Sequence, residues 1–315
     1  MFSYVGERLL QALPVLFLSS LVVFLFIRLI PGDPAVTMAG PNATPTQVEA
    51  LRHLYQLDRP LAVQYLAWLG RLSHGDLGLS YTTRRPVAEL VAQRLPATLH
   101  LAVGTMVVML ALGTPLGILS AVRPRWAISR TVTLLNAIAL AMPTFWLGIL
   151  LLLLFAVSLQ WLPPSGFVSI TESPREALRL LILPCLTLGA SATAILVRFL
   201  RASMAEVMHA DYIRTAQAKG LRERVIVTRH ILRVAALPVV TVLAVQFGYL
   251  LGGAVITEAV FGWPGVGRLT LDAIGNRDYL IVQAMMLFFV TVFIVVNVVA
   301  DLCYAILDPR IRLTR

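Results

Sequence analysis

The residues able to carry catalytic or metal chemistry are scattered along the chain. Its five histidines form no His-Glu-x-x-His pattern, and the sequence has no nucleophile elbow. Cys185 and Cys303 lie far apart in apolar runs without CxxC spacing, which favours small core positions. The glycine-rich residues 261–267 lack the Gly-Lys-Ser/Thr of a phosphate-binding loop. These patterns predict no catalytic residue and no metal site in this chain, which we do not expect to be an enzyme.

A polar, basic stretch offers binding chemistry instead. Residues 211–220 open an island that extends to Pro238 and separates two long apolar runs. Asp211 is the expected N-cap and Gly220 the expected left-handed residue beyond the C-terminus of a helix. Residues 212–219 are therefore predicted to form a helix of two turns, about 12 Å long.

One face of this short helix is suited to contact another protein. Met208, Tyr212 and Ala216 recur at intervals of four, so we expect them to share a face with the preceding turn. Small side chains along the helix let a partner approach the backbone, and neighbouring basic residues supply charge. The candidate contact residues are Asp211, Tyr212, Arg214, Ala216, Ala218, Lys219 and Gly220.

Polar residues within the apolar runs are candidates for a transport path, since ionisable groups inside a membrane are costly. Glu258 and Asp301 lie near the ends of their runs, where an interfacial or helix-pairing role competes with a transport role. Gln246 and Tyr249 lie about one helical turn apart in the middle of a run. They are the stronger candidates for lining a path, with hydrogen bonding in the core as the alternative.

The composition indicates an integral membrane protein. Hydrophobic residues make up 58% of the 315 residues, charged residues only 13%, and the mean hydropathy is +0.82. Apolar runs that reach the about 20 residues needed to cross a membrane occur at residues 9–30, 97–122, 131–159, 180–200, 235–260 and 280–307. None alternates with a period of two, so six transmembrane helices are expected rather than a barrel.

The net charge of +10 follows the expected topology. Basic residues outnumber acidic ones in the segments on one side, taken together, and nearly balance them on the other. This asymmetry predicts that both termini and the stretch 201–234 are cytoplasmic, whereas residues 31–96 are extracytoplasmic. Because the basic residues are divided among four segments and not gathered on one face, nucleic acid is not an expected partner.

The largest insertion between apolar runs, residues 35–96, carries helical patterns at residues 45–55, 61–72 and 86–95. About 60 residues form only a marginal independent core. We expect the insertion to pack against the ends of the membrane spans or against a neighbouring subunit.

Several motifs in one order resemble a known family. Residues 212–224 with His230 and Leu237-Pro238 resemble the EAA loop of ABC-importer permeases of the dipeptide, oligopeptide and nickel group. Matching landmarks over nearly the whole chain are residues 30–34, 57–61, 75–80, 94–98, 261–269, 276–278 and 308–312. They are similar to those of the first of two permease subunits.

The resemblance implies the all-α, MetI-like fold of a type I ABC importer in the bacterial cytoplasmic membrane. Residues 1–34 would hold the N-terminus and first span, residues 35–96 the extracytoplasmic insertion, and residues 97–315 the permease core with a coupling loop at 201–238. Implied partners are a second permease, two cytoplasmic ATPases that bind the ATP and Mg²⁺, an extracytoplasmic binding protein and lipid. Alternating access would carry peptides, glutathione, nickel or another metal chelate, without a cofactor in this chain.

Two positions depart from the family pattern. Arg214 stands where the loop's name-giving glutamate would fall, so a contact assigned to that glutamate does not transfer, and Gln56 stands where glycine is commoner. The alternative function is a self-sufficient secondary transporter. That class usually has midplane ionisable sites and inverted repeats, neither of which is clear in this sequence.

Overall fold

The computed structural model describes residues 2–29, 33–40 and 43–307. The helices are, in chain order, α1 (Phe2–Leu29), α2 (Pro34–Ala39), α3 (Pro45–Leu54), α4 (Leu61–Ser73), α5 (Val87–Val122), α6 (Ala127–Ala141), α7 (Thr144–Leu151), α8 (Pro174–Met208), α9 (Asp211–Ala218), α10 (Glu223–Val225), α11 (Leu232–Gly253), α12 (Val255–Val260), α13 (Val266–Gly275) and α14 (Tyr279–Leu307). Two π-helical segments, Leu152–Ser158 and Ile226–Ile231, follow α7 and α10. Pro31 and Gly32, the motif at 308–312 and the Cys303 side chain lie outside the described parts.

Five helical stretches within the described residues are long and apolar enough to cross a membrane. They are Leu10–Leu29, Val87–Val122, Pro174–Met208, Glu223–Gly252 and Tyr279–Leu302. The bent pair Ala127–Ala141 and Thr144–Ser158 supplies a sixth span if its two parts are taken together. The all-helical fold predicted from the apolar runs is therefore confirmed.

Two of the runs are broken in ways that their hydropathy does not predict. The run at 131–159 bends by 108° between α6 and α7, because Pro143 has no backbone N–H to donate and holds Met142 in an extended conformation. The run at 235–260 was expected to be one helix, but α11 ends at Gly253 and α12 begins at Val255. The second break leaves α12 as a separate helix of six residues.

Helices α5 and α8 form the centre of the bundle, where glycines allow close approach. A Cβ atom at Gly113 would lie 2.8 Å from Leu196 Cδ2, and one at Gly117 would lie 3.0 Å from Leu200 Cδ2. These two glycines therefore serve close packing between α5 and α8. Cys185 is buried in this region, as predicted.

The insertion packs against the membrane-spanning helices. Tyr65 and Trp68 of α4 lie in a buried cluster with Phe24 of α1 and Leu287 of α14. The Tyr65 hydroxyl is 2.8 Å from Ser20 Oγ of α1. The insertion therefore packs against the ends of membrane spans, the first of the two expected arrangements, and the part of the bundle that it covers is named here the insertion end.

A turn in the insertion also caps the start of α14. The pair Leu79 and Pro86 forms a β-bridge that closes this turn. Within it, Ser80 Oγ donates to Asp278 Oδ2 at 2.6 Å, and Thr82 donates to the same oxygen from Oγ1 at 2.7 Å. Asp278 is fully buried, so these hydroxyl groups compensate the loss of its hydration.

Candidate coupling surface and transport path

The short helix α9 lies at the opposite end of the bundle, named here the loop end. It spans Asp211–Ala218 and therefore starts and ends one residue earlier than predicted. The assignment of Asp211 as N-cap is wrong, because the Ala210 carbonyl already accepts from Ile213 N at 3.0 Å and closes the first turn. Asp211 is instead the first helical residue, and its exposed carboxylate lies 3.6 Å from Arg214 Nη1.

Gly220 ends the helix in the predicted left-handed conformation, with φ of +73°. Its N–H donates to the Gln217 carbonyl at 2.9 Å, and Leu221 N donates to the Ala216 carbonyl at 3.3 Å. These bonds satisfy carbonyl groups that the helix end leaves without partners. A Cβ atom at Gly220 would meet nothing within 4 Å, so glycine serves the backbone conformation and not the space around it.

Two side chains of α9 face inward. Ile213 is 1% exposed and Ala216 is 6% exposed, and both lie in a core cluster with Met204 of α8. The prediction that Tyr212 shares this face is wrong, because Tyr212 is 46% exposed. Ala216 therefore packs against its own chain and is not accessible to a partner.

The outward face of α9 carries the remaining candidates. Tyr212 and Leu221 are large hydrophobic residues that are exposed. The other exposed residues of this face and of the turn that follows are Asp211, Arg214, Thr215, Gln217, Ala218, Lys219 and Gly220. The resulting surface mixes aromatic, basic and small residues around an accessible helix end.

The loop end is tied to the centre of the bundle. Arg123, just after α5, binds Glu223 of α10 through two contacts of 2.6 and 2.7 Å. The cluster that holds Ile213 extends to Met109 of α5 and Val239 of α11. Because protein interiors are close-packed, this cluster connects α9 directly to the spanning helices.

The mid-run candidates lie on α11. Tyr249 is 60% exposed. Val245 and Ile256, which lie near it in the sequence, are exposed to a comparable degree. Gln246 is half-buried. Within the described residues, neither the Gln246 nor the Tyr249 side chain has a hydrogen-bond partner, so the alternative of core hydrogen bonding finds no support.

Glu258 is buried in the insertion end. It is 0% exposed and accepts hydrogen bonds from Thr98 Oγ1 at 2.8 Å and Arg268 N at 2.9 Å. A Cβ atom at Gly265 would lie 2.1 Å from its Oε1 atom, so the glycine-rich loop wraps directly over the carboxylate. Glu258 thus holds this loop and α13 in place, and it does not face an open path in this structure.

Sequence reasoning missed the partners of the buried carboxylates. Thr98 Oγ1 also accepts from Val266 N at 2.9 Å, which joins α5 to the start of α13. Thr98 and Asp278 both lie within motifs that resemble the family. This resemblance was the one signal from which a functional or structural role could have been predicted. Asp301 pairs with Arg8 at 3.1 Å, which confirms its interpretation as a helix-pairing residue.

The described residues thus form a multi-span helical bundle with a short polar helix exposed at one end. The family described as binding-protein-dependent transport system inner membrane component matches residues 113–313, and the N-terminal component of such systems matches residues 1–102. The chain belongs to this family.

Curated relatives match over nearly the full length. The chain is 44% identical over 313 residues to the glutathione transport system permease protein GsiC of Escherichia coli strain K12, and 43% identical to that of Shigella flexneri serotype 5b. Each alignment covers 99% of both chains. An inward-facing structure of the MetNI methionine ABC transporter matches with a TM-score of 0.57 and 18% identity, over 70% of this chain and 96% of that chain.

These matches confirm three predictions: the ABC-importer permease family, the MetI-like all-helical fold and the transport function. The protein is a multi-pass inner-membrane permease subunit of an ABC importer. The secondary-transporter alternative has no support from them.

Proposed function

We propose that this permease imports glutathione or closely related short peptides. The full-length similarity to glutathione permeases supports this substrate class. Glutathione is itself a short peptide, which agrees with the peptide group that the motifs resemble. Nickel or another metal chelate, which the same group handles, is the second candidate substrate.

We infer that α9 is the coupling helix and sits in a cleft of a cytoplasmic ATPase. The observation that carries this proposal is the outward face of α9, whose exposed aromatic and basic side chains have little to contact in their own chain. ATP-driven closure of two ATPases would displace α9, and the packed cluster behind it would move the spanning helices. ATP and Mg²⁺ would be bound by those partners.

The orientation follows from the same assignment. With α9 in the cytoplasm, both termini are cytoplasmic, and residues 35–96 form the extracytoplasmic region that meets a substrate-binding protein. The excess of basic residues at the loop end supports this topology. Residues 97–315 then act as the permease core, with 201–238 as its coupling loop.

A second, homologous permease would complete the path. Exposed Tyr249 and half-buried Gln246 on α11 would line it, whereas Glu258 would position the loop that borders its extracytoplasmic end. The assignment of this chain as the first of the two permease subunits rests on the motif resemblance alone.

The test is uptake by proteoliposomes that contain both permeases, the ATPases and the binding protein. We expect ATP-dependent uptake of labelled glutathione, and none when the ATPases are omitted and only an ion gradient is present. A dipeptide and a nickel chelate serve as competing substrates. Uptake driven by the gradient alone would contradict the importer assembly, and uptake of only the chelate would contradict the substrate class.

A further inference from the structure

A polar cavity of about 270 Å³ lies between the insertion and the sides of α1 and α14. Its wall includes Arg28 of α1, Arg71 and Trp68 of α4, and Gln283 of α14. Its wall includes no residue of α9 and neither Gln246 nor Tyr249 of α11. No part of the proposed transport mechanism uses it.

The wall of this cavity carries positive charge without a matching acid. No lining residue is an Asp or Glu. Within the described residues, neither Arg28 nor Arg71 forms an ion pair, and the Arg28 guanidinium instead lies 5.2 Å from the centre of the Phe24 ring. Two guanidinium groups in a partly desolvated cavity favour an anionic ligand, and phosphate in particular.

Two side-chain amide groups in the cavity wall each have one atom without a hydrogen-bond partner. The Gln64 amide donates to the carbonyls of Leu57 and Arg59 at 3.2 and 2.7 Å, which identifies its Oε1 atom as the acceptor. That oxygen is buried without a hydrogen bond, as is Nε2 of Gln283. A ligand that carries both a hydroxyl donor and an anionic acceptor would satisfy the two groups.

The cavity lies at the boundary of the hydrocarbon layer, the depth at which lipid headgroups are found. Arg28 is the penultimate residue of the apolar stretch Leu10–Leu29, so it lies at the boundary between hydrocarbon and water. Trp68 and Tyr81 in the wall are residues enriched at that boundary. Nearby, α4 exposes the apolar Leu66 on its outer surface.

The size of the cavity also fits a small polar group. Pockets that enclose drug-sized ligands have volumes of about 300–1,000 Å³, which exceeds the about 270 Å³ found here. We propose that the cavity binds the headgroup of an anionic phospholipid. Its phosphate would lie between Arg28 and Arg71, and a headgroup hydroxyl would donate to Gln64. The lipid would thereby fix the insertion against α1 and α14.

Native mass spectrometry of the transporter complex tests this proposal. The complex is released from nanodiscs that contain equal amounts of phosphatidylglycerol and phosphatidylcholine. We expect selective retention of phosphatidylglycerol, reduced roughly fivefold by Arg71→Gln or Arg28→Gln, the factor expected for one basic residue near anionic lipid. Arg175→Gln, an exposed arginine of α8 outside the cavity, is the matched control and should retain the lipid fully.

Three results would overturn the proposal. Equal retention of both lipids, or equal retention by all variants, would show that the cavity selects no headgroup. Binding of soluble glycerol phosphate to the complex in lipid-free detergent, at the level seen for phosphatidylglycerol, would assign the site to a free phosphate ester instead. Because Arg71 is exposed, its substitution is not expected to prevent folding, and a melting measurement on each variant verifies this. The experiment does not depend on transport activity.

Discussion

The two ends of the bundle differ in the burial of their polar motif residues. At the insertion end, the carboxylates of Glu258 and Asp278 are fully buried and hydrogen-bonded within the chain. At the loop end, α9 turns Tyr212, Arg214 and Gln217 outward. Buried polar groups must be satisfied where they stand, whereas exposed ones are free to meet a partner.

This difference separates two kinds of motif in one sequence. The glycine-rich residues 261–267 lack a phosphate-binding pattern, and Gly265 and Gly267 in this loop leave room for the Glu258 side chain. The stretch 211–220 has no catalytic or metal-binding pattern, and most of its side chains are exposed. The polar residues described at the insertion end are satisfied within the chain, whereas those of α9 are accessible for the docking proposed above.

The largest effect is expected at Glu258. Replacing it with Ala removes the acceptor for Thr98 and Arg268 N and opens a void beneath the loop. We expect a loss of about 3 kcal/mol or more in the free energy of unfolding, since each hydrogen bond to a charged group contributes about 1.5–3 kcal/mol. Chemical unfolding in detergent measures it. The control is Glu172→Ala, which alters an exposed glutamate and should leave the unfolding midpoint unchanged; equal effects would contradict the structural role.

Two alanines of α9 provide the next comparison. Ala216→Leu places extra atoms in the core cluster and should cost about 1–3 kcal/mol of unfolding free energy. Ala218→Leu enlarges an exposed residue and should leave stability unchanged while it reduces ATP-dependent uptake severalfold. Unfolding and uptake are measured for both variants. If the two variants lose stability equally, the division of α9 into an inward and an outward face is wrong.

A smaller effect is expected for Gly220→Ala. The left-handed conformation costs an ordinary residue roughly 1–2 kcal/mol, so the end of α9 should shift and uptake should fall. Gly275→Ala is the matched control, because a Cβ atom there also meets nothing within 4 Å but the backbone has no positive φ. Thermal unfolding and uptake are compared for the pair. Equal melting temperatures for the two variants would contradict the assigned strain.

Local sequence patterns predicted most of the fold. Apolar runs located the spanning helices, and the helical pattern at residues 45–55 located α3, which Thr44 begins with a capping box to Gln47. Pro143 permits a kink in the run 131–159, but the size of the bend could not be predicted, because proline is also tolerated inside α5 and α8. Whether proline kinks a span depends on the neighbouring helices.

The polar contacts around the candidate site residues were predicted less completely, because their partners lie far apart in the sequence. Glu258 meets Thr98 across 160 residues, and Ser80 meets Asp278 across 198. No periodicity within one helix reveals such pairs. The burial of Ala216 likewise depends on α8 and the segment after α10 packing over α9, whereas the exposed remainder of the stretch 211–220 follows from its polarity.

The most direct test of the coupling proposal is the accessibility of Gln217 with and without the ATPases. In a background with Cys185 and Cys303 replaced by Ala, Gln217→Cys is labelled with a maleimide in membranes. We predict rapid labelling of the permease pair alone and strong protection once the ATPases are assembled. A cysteine at the exposed Glu172 of the insertion end should react equally in both samples. Unchanged labelling of the Gln217→Cys variant in the complete assembly would contradict the docking of an ATPase on α9.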